Sequence, residues 1–202
     1  MKNALIIIGG YINFEKINVS AEKYDIVIAA DSGYLSAAKL NITPDIIVGD
    51  FDSSALPHYK AKIITAPAEK DETDTMLACT VATKRGVNAI TIIGGTGGRA
   101  DHFLSNLFWL EALKDKNIPV TLTDGENTLQ IISDETVSVE QKNGYFSIFA
   151  LDTCTVTISG CKYPLNDYIL RRTIPFAVSN EVTGEKATVT VKGKAILCES
   201  IK

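Results

Sequence analysis

The segment DIIVGDFDS, residues 45–53, contains the pattern that decides the fold. An Ile-Ile-Val run at residues 46–48 predicts a short buried strand. Asp50 and Asp52 follow that run, and alternate residues of an extended chain point to the same side. A turn needs only one Asp, so the pair favours a shared cation over a simple turn. The segment therefore predicts a buried strand that ends at a ligand-binding edge.

Similar apolar runs recur through the first 124 residues. They are rich in Ile and Val and show little polar alternation, which is typical of parallel strands covered on both faces. The predicted strands are residues 4–10, 25–31, 45–50, 62–67, 89–95 and 119–124. The predicted helices lie between them, at residues 34–40, 75–84 and 103–114. This alternation predicts an α/β domain with a mainly parallel sheet.

The pattern changes near Gly125. The later segments TVSVEQK, YFSIFAL, TVTISG, KATVTVKG and AILCES are Thr- and Val-rich and often alternate apolar with polar residues. Turn residues such as Gly184 separate them. This alternation of apolar and polar residues predicts a small all-β domain, an antiparallel sandwich or barrel with one face in water. We therefore expect an α/β domain over residues 1–124 and a β-sandwich domain over residues 125–202.

Composition limits the possible partners. The formal net charge is −4 and no basic stripe is present, which argues against a nucleic-acid partner. No apolar stretch is long enough to span a bilayer, and the start of the chain lacks the pattern of a signal peptide. The four cysteines show no CxxC spacing. We expect them to be free thiols in a cytoplasmic protein without a membrane partner.

Gly and acidic residues follow five successive predicted strands. In an open parallel sheet, ligands bind at the carboxyl ends of the strands. These ends carry Gly9-Gly10, ADSG (30–33), GDFDS (49–53), PAEKDETDT (67–75) and GGTGGRADH (94–102). The five strand ends taken together predict a ligand-binding site more strongly than any single motif does.

The carboxylates at this edge predict a metal site. Asp50 and Asp52 are expected to converge on one cation, and Asp71 and Asp74 are placed to share a face at a helix start. Oxygen ligands without Cys or His suit Mg²⁺, which substrate phosphates commonly complete. The alternative is that Asp71 caps the helix and Asp74 lies in its first turn.

The segment GGTGGRADH, residues 94–102, predicts a phosphate site. Four glycines let the backbone approach an anion closely, and Arg99 adds a planar cationic group. The segment is neither a Walker A loop nor a GxGxxG fingerprint. Asp101 is expected to cap the following helix and can also orient Arg99 or a metal-bound water. His102 by itself is weak evidence of a base. A nucleoside triphosphate with Mg²⁺ and a phosphoryl-type transfer fit this edge best.

Two other hypotheses remain open on these residues. The first is a nucleotide-sugar or nucleotidyl transferase that uses the Asp50-x-Asp52 pair as its metal-binding motif. The second is a non-catalytic nucleotide-sensing module. The density of carboxylates at one sheet edge disfavours the second, because like charges destabilise one another unless a cation offsets them.

The motifs ADSG, GDFDS, KDETDT, GGTGGRADH, GCKYPL and VSNE occur in this order over nearly the whole chain. In this respect the sequence resembles the thiamine pyrophosphokinases. The resemblance implies a Mg²⁺-dependent enzyme that transfers the pyrophosphoryl group of ATP to the hydroxyl of thiamine, giving thiamine diphosphate and AMP. It also implies that the first domain binds nucleotide and metal and that the second binds thiamine.

The resemblance assigns roles to residues at the matching positions. The implied metal positions are Asp50, Asp52, Asp71 and Asp74. The implied catalytic residues are Asp74, Arg99 and Asp101. The implied nucleotide-binding residues are Asp31, Gly33, Lys70, Gly97, Gly98, Arg99 and His102.

The resemblance further implies a homodimer with its active site at the subunit interface. Thiamine would contact Tyr163, Ser179 and Asn180. The Tyr163 ring offers a flat face on which a pyrimidine or a cationic thiazolium could stack. From the residues alone, the alternatives are that Tyr163 packs at the edge of the sandwich and that Ser179-Asn180 forms a turn.

Overall fold

A computed structural model describes residues 2–50, 61–65, 72–140 and 144–201. The described chain is mostly sheet, with three α-helices and one 3-10 turn. It divides into two compact units, Met1–Gly125 and Glu126–Lys202. Among the described residues, no helix combines the length and apolarity needed to cross a bilayer.

The described part of the first unit contains six parallel strands. They are β1 (Asn3–Ile7), β2 (Ile26–Ala30), β3 (Ile46–Gly49), β4 (Lys62–Thr65), β5 (Ala89–Ile93) and β6 (Val120–Thr123). Every pair in this unit is parallel, and the strand order is β6-β5-β1-β2-β3-β4. All six predicted strand segments are therefore confirmed as strands.

Three helices connect these strands. They are α1 (Gly33–Lys39), α2 (Asp74–Thr83) and α3 (Ala100–Lys114), so each predicted helix is present. Helix α1 packs on β1 and β2, α2 packs on β1 to β3, and α3 packs on β6 and α2. Coverage by helices explains why the strand residues Leu5, Ile28 and Ile92 have no exposed surface.

The strand order places a switch point between β1 and β5. Strands β1 to β4 run in sequence to one side, whereas the chain after β4 crosses over through α2 to add β5 and β6 on the other side. The connections after β1 and β5 therefore leave the sheet in opposite directions. The space between them at the carboxyl ends of the strands is where open α/β sheets bind ligands.

Two predicted helix caps are corrected. Thr73 is the N-cap of α2, and its Oγ1 accepts a hydrogen bond from the Met76 N–H at 3.2 Å. The alternative prediction placed this cap at Asp71, which lies outside the described residues. Arg99 occupies the N-cap position of α3, so Asp101 lies in the first turn instead. Carboxylates in a first turn are favoured by the helix dipole, which explains their presence near both helix starts.

Five strands lie among the described residues of the second unit. They are β7 (Asn127–Glu140), β8 (Gly144–Ala150), β9 (Thr153–Ser159), β10 (Leu165–Arg171) and β11 (Lys186–Ile201). Strand β11 pairs antiparallel with β7, with β9 over its first half and with β8 over its second half, and β10 pairs antiparallel with β9. Buried residues from all five strands form one core cluster. The antiparallel pairing matches the expectation, and the sandwich arrangement stays a prediction.

One predicted break between strands is absent. The segments at residues 186–193 and 195–200 were expected to be separate strands, but both belong to the 16-residue β11. The pairing of β11 with β7 shifts register between Val191 and Lys194, and Gly193 there has φ +99°. Because glycine adopts positive φ without strain, the chain forms a bulge and continues instead of turning.

The four cysteines are free thiols, as predicted. Cys79, Cys154 and Cys161 are buried, and Cys198 is partly exposed. Burial raises the pKa of the Cys79 thiol to about 12, and it also raises the pKa of Cys154. These thiols are therefore protonated and unreactive at neutral pH.

Candidate active site

A pocket of about 230 Å³ lies at the switch point of the first unit. Loops after three strands and the starts of two helices form its wall. The described residues that line it are Ile8, Gly9, Gly10, Ala30, Asp31, Ser32, Thr73, Asp74, Thr75, Gly95, Gly97, Gly98, Arg99, His102 and Asn106. The wall thus combines glycine backbone, hydroxyls, two carboxylates and a guanidinium, which suits an anionic ligand bound with a cation.

The glycine-rich loop after β5 contributes backbone to this wall. Gly98 has φ +88°, a conformation that residues with a side chain rarely adopt. Gly97 packs so closely on Tyr11 that an added Cβ would lie 2.7 Å from the Tyr11 Cβ. Helix α3 begins directly after the loop, at Ala100. Backbone N–H groups at such a loop and helix start attract anions.

Arg99, which directly follows Gly98, forms an ion pair with Asp101 through two hydrogen bonds. Arg99 Nε donates to Asp101 Oδ1 at 3.1 Å, and its Nη2 donates to Oδ2 at 2.5 Å. These hydrogen bonds raise the pKa of Arg99 and lower the pKa of Asp101. Asp101 also accepts from the His102 N–H at 3.0 Å. This pairing is the contact that Asp101 would need in order to orient Arg99, which is one of its expected roles.

Asp31 and Asp74 bring carboxylates to the pocket. Asp31 follows β2 with φ +50°, in the left-handed region that Asp tolerates better than most residues. Its backbone N–H donates to the Val48 carbonyl at 2.8 Å, which ties it to the end of β3. Asp74 is the first residue of α2 and is half-buried. Among the described residues, no group of three or more His, Cys, Asp or Glu side chains is close enough to hold a metal.

The structure brings together six of the predicted site residues in the first unit: Asp31, Asp74, Gly97, Gly98, Arg99 and His102. Asp50 is half-buried directly after β3 and is not among the described lining residues. Gly33 does not line the pocket either. It is buried where an added Cβ would overlap the Ile7 carbonyl, so it allows α1 to pack against β1. The predicted residues Asp52, Lys70 and Asp71 lie outside the described residues.

Sequence reasoning missed two buried polar residues beside the loop. Asn106 in α3 is 4 % exposed, and its Nδ2 donates to the Gly95 carbonyl at 3.2 Å. Asp124 follows β6, is 1 % exposed and accepts a hydrogen bond from Thr96 Oγ1. Asp124 stands at the end of the sixth strand, so the same strand-end pattern that singled out the other carboxylates could have found it. Nothing in the helical pattern distinguished Asn106.

The three residues predicted to bind thiamine lie together in the second unit. Asn180 is 4 % exposed, and its amide bonds to both backbone groups of Tyr163. Ser179 is exposed, has φ +58°, and donates its N–H to Ser147 Oγ at 3.0 Å. The Tyr163 side chain is exposed, with Lys162 Nζ 5.5 Å from its ring centroid. Lys162 is itself paired with Glu181 at 2.8 Å, which raises its pKa.

The sequence matches two family models. The thiamin pyrophosphokinase catalytic domain matches residues 17–122, and the vitamin B1 binding domain of thiamin pyrophosphokinase matches residues 128–196. A thiamine pyrophosphokinase from Bacillus subtilis is 32 % identical, over 99 % of each chain. The chain belongs to the thiamine pyrophosphokinase family. Thiamine pyrophosphokinases are thiamine diphosphokinases, and the comparisons do not support the nucleotide-sugar or nucleotidyl transferase alternative.

Solved structures of this family share the fold. The crystal structure of thiamine pyrophosphokinase from Bacillus subtilis superimposes with a TM-score of 0.86 at 29 % identity, covering all of both chains. A thiamin pyrophosphokinase family protein from Enterococcus faecalis superimposes with a TM-score of 0.83 at 27 % identity, again over both whole chains. All residues that line the pocket, except Ile8, Gly9 and Gly10, lie within the match to the catalytic domain. Tyr163, Ser179 and Asn180 lie within the match to the vitamin B1 binding domain.

Proposed function

We propose that this protein transfers the pyrophosphoryl group of ATP to the hydroxyl of thiamine, giving thiamine diphosphate and AMP. The observation that carries the proposal is the pocket at the β1–β5 switch point. It combines a glycine-rich loop, a cationic guanidinium and two carboxylates in a member of this family. Transfer of this kind depends mainly on positioning and charge neutralisation, which these groups can supply.

The proposed roles in the first unit rest on the residues that line the pocket and on the resemblance to the family. The backbone of Gly97 and Gly98 binds phosphate oxygens, and Arg99 neutralises charge on them. Asp101 holds Arg99 in its extended, two-point geometry. Asp31 and His102 complete the nucleotide site, with Lys70 from outside the described residues. Gly33 serves by letting α1 approach the sheet.

We propose Mg²⁺ as the cofactor, held by carboxylates from the set Asp50, Asp52, Asp71 and Asp74. The chemistry of the donors fits this ion: Asp74 lines the pocket, and Asp50 lies directly after β3. Carboxylate oxygens are the ligands that Mg²⁺ prefers, with substrate phosphates and water completing its shell. When bound, the ion neutralises negative charge on the phosphates. Asp74 also stabilises the start of α2 through the helix dipole.

The second unit is proposed to bind thiamine. Tyr163 presents an exposed ring for stacking. Ser179, which directly precedes Asn180 in the sequence, is exposed and presents a hydroxyl. Because the Asn180 amide is buried and bonded to Tyr163, we infer that Asn180 acts by holding Tyr163 in place. The division into a nucleotide- and metal-binding domain at residues 1–124 and a thiamine-binding β-sandwich at residues 125–202 follows from this assignment.

A homodimer with its active site at the subunit interface completes the proposal. Large apolar side chains are exposed on and after β10, which is unusual for a surface facing only water. They are Tyr168, Ile169, Ile174, Phe176 and Val178. The rings of Tyr168 and Phe176 stack with centroids 5.1 Å apart, so these two side chains form one apolar patch.

Four free thiols support a reducing, cytoplasmic location.

AMP release from ATP and Mg²⁺, with and without thiamine, tests the proposed reaction on the purified protein. AMP that forms only with thiamine, in step with thiamine diphosphate, is the expected result. ADP in place of AMP would show that the acceptor attacks a different phosphorus. Absence of AMP in both samples, with ATP still bound, would overturn the proposed reaction.

A further inference from the structure

A partly buried hydrogen bond connects the glycine-rich loop to the end of β6. Thr96 Oγ1 donates to the carboxylate of Asp124, a residue that is 1 % exposed. Gly95 and Gly97, on either side of Thr96, line the pocket, whereas Thr96 does not. The loop backbone therefore faces the pocket while the Thr96 side chain is turned away from it. A hydroxyl has a single proton, and Thr96 donates it to Asp124.

Neighbouring residues of the loop are anchored in the same way. The Gly94 N–H donates to the Thr123 carbonyl at 2.8 Å, at the end of β6. The Gly95 carbonyl accepts from Asn106 Nδ2 at 3.2 Å, from the buried side of α3. Three successive residues, 94 to 96, are thus each bonded to β6, to α3 or to the residue directly after β6. The Thr96 bond differs from the other two because both of its groups are side chains.

Anchors of this kind matter because the loop sequence is intrinsically flexible. Four of the five residues at 94–98 are glycine, and glycine loses more backbone freedom on ordering than any other residue. A loop that is ordered only when ligand binds loses affinity by the cost of that ordering. A loop that is already ordered presents its N–H groups in place. Thr96 is the single residue in this stretch with a side chain that can tie it down.

We propose that Thr96 and Asp124 are positioning residues, which hold the glycine-rich loop in the conformation that binds the triphosphate of the nucleotide. They act through the backbone of Gly95 and Gly97 and do not touch the nucleotide themselves. The proposal rests on the proposed function, which places the triphosphate at this loop. It assigns a role to the buried carboxylate after β6, which the metal and thiamine sites do not use.

Substitutions at Thr96 separate positioning from mere packing. Thr96→Val keeps the shape of the side chain and removes the hydroxyl, whereas Thr96→Ser keeps the hydroxyl and removes the methyl group. The measurement is the Kd of ATP with Mg²⁺, by calorimetry in the absence of thiamine, together with KM for ATP and for thiamine. We expect Thr96→Val to raise Kd and KM for ATP by about 10- to 100-fold, as for loss of a hydrogen bond to a charged group. Thr96→Ser should stay within about threefold of wild type, and KM for thiamine should change little in either variant.

Several results would overturn the proposal. One is ATP affinity in Thr96→Val equal to wild type, and another is an equal loss in Thr96→Ser. A loss of kcat in Thr96→Val with KM and Kd for ATP unchanged would also contradict it, because the hydroxyl would then act on the reaction instead of on the loop. Should the valine variant not fold, Thr96→Ala tests the same hydroxyl without adding bulk beside the buried carboxylate.

The two proposals fail differently. A wild-type protein that binds ATP but makes no thiamine-dependent AMP would overturn the proposed reaction, while the valine and serine comparison would still decide the role of Thr96. A protein that turns over normally, with the Thr96→Val variant unaffected, would overturn the positioning role alone. Absence of any ATP binding by the wild type would overturn both.

Discussion

The side chain of Asn180 bonds to both backbone polar groups of Tyr163. Its Oδ1 accepts from the Tyr163 N–H at 3.0 Å, and its Nδ2 donates to the Tyr163 carbonyl at 2.8 Å. The same Oδ1 accepts from the Glu181 N–H at 2.9 Å. An amide used in this way acts like a strand partner for Tyr163, so the position of the exposed ring depends on a residue that is itself 4 % exposed.

Asn180→Ala should therefore impair thiamine binding indirectly. Partly buried backbone groups would lose their partners, so we expect a decrease of about 1–3 kcal/mol in the free energy of unfolding. KM for thiamine should rise by about tenfold, because the Tyr163 ring is no longer held, while Kd for ATP stays near wild type. Denaturant unfolding checks the loss of stability, and steady-state kinetics check the rise in KM for thiamine.

Tyr163→Phe, which keeps the ring, is the control and should resemble wild type, whereas Tyr163→Ala should share the thiamine defect. An ATP defect as large as the thiamine defect would contradict this interpretation.

Asp74→Asn should abolish transfer and leave the fold intact. The change removes a negative charge from the proposed metal site, and we expect kcat/KM to fall by more than about 100-fold. The first turn of α2 loses a dipole interaction of about 0.3–1 kcal/mol, which is too little to unfold the domain. Circular dichroism and thermal unfolding check the fold, and the AMP assay checks turnover.

Glu72→Gln is the control, because it removes an exposed carboxylate two residues before Asp74. Its turnover should stay within about twofold of wild type. Near-normal turnover in Asp74→Asn would exclude a role at the metal site.

Arg99→Gln should release Asp101 and weaken nucleotide binding. The hydrogen bonds from Arg99 hold the pKa of Asp101 below its usual range. Without them, the midpoint of the Asp101 carboxyl in an NMR titration should rise toward the ordinary value of an aspartate. Because the folded-state pKa is the lower one, any stabilisation by the pair is present above about pH 3.9 and is lost as pH falls through the folded-state value.

The same variant should raise KM for ATP by at least about tenfold, since a planar donor that can bind phosphate oxygens has been removed. Arg85→Gln is a matched control, because Arg85 bonds the Val81 carbonyl at the end of α2 and does not line the pocket. An unchanged midpoint for Asp101 in Arg99→Gln would show that the pair does not form in solution.

Thiol labelling should distinguish Cys198 from the other three cysteines. In the native protein at pH 8, a disulfide reagent such as DTNB should modify Cys198 and leave Cys79, Cys154 and Cys161 unmodified on the same timescale. Burial protects these three, and the raised pKa of Cys79, about 12, keeps that thiol protonated. In guanidinium chloride all four should react. Rapid native labelling of Cys79, followed by mass spectrometry, would show that α2 is not packed as described.

Local sequence patterns predicted most of the secondary structure. Ile- and Val-rich runs become buried parallel strands because strands covered on both faces need apolar residues at every position. The same rule marked the strand ends, and six predicted residues meet at one pocket because the carboxyl ends of parallel strands share an edge. Helix starts were less well predicted. Whether Thr73 or Asp71 caps α2 depends on where the chain leaves its extended conformation, and both residue types make good caps.

The amino-acid sequence by itself determined the elements, the chemistry of their ends and the family. Each of these depends on residues that are close in sequence or occur in a fixed order. The tertiary structure alone decided which distant side chains meet. Thr96 reaches Asp124 only because β6 lies beside β5, and Asn180 reaches Tyr163 only because their segments run side by side. Buried polar groups of this kind carry no periodic signal, because their partners are fixed by strand order and packing and not by spacing along the chain.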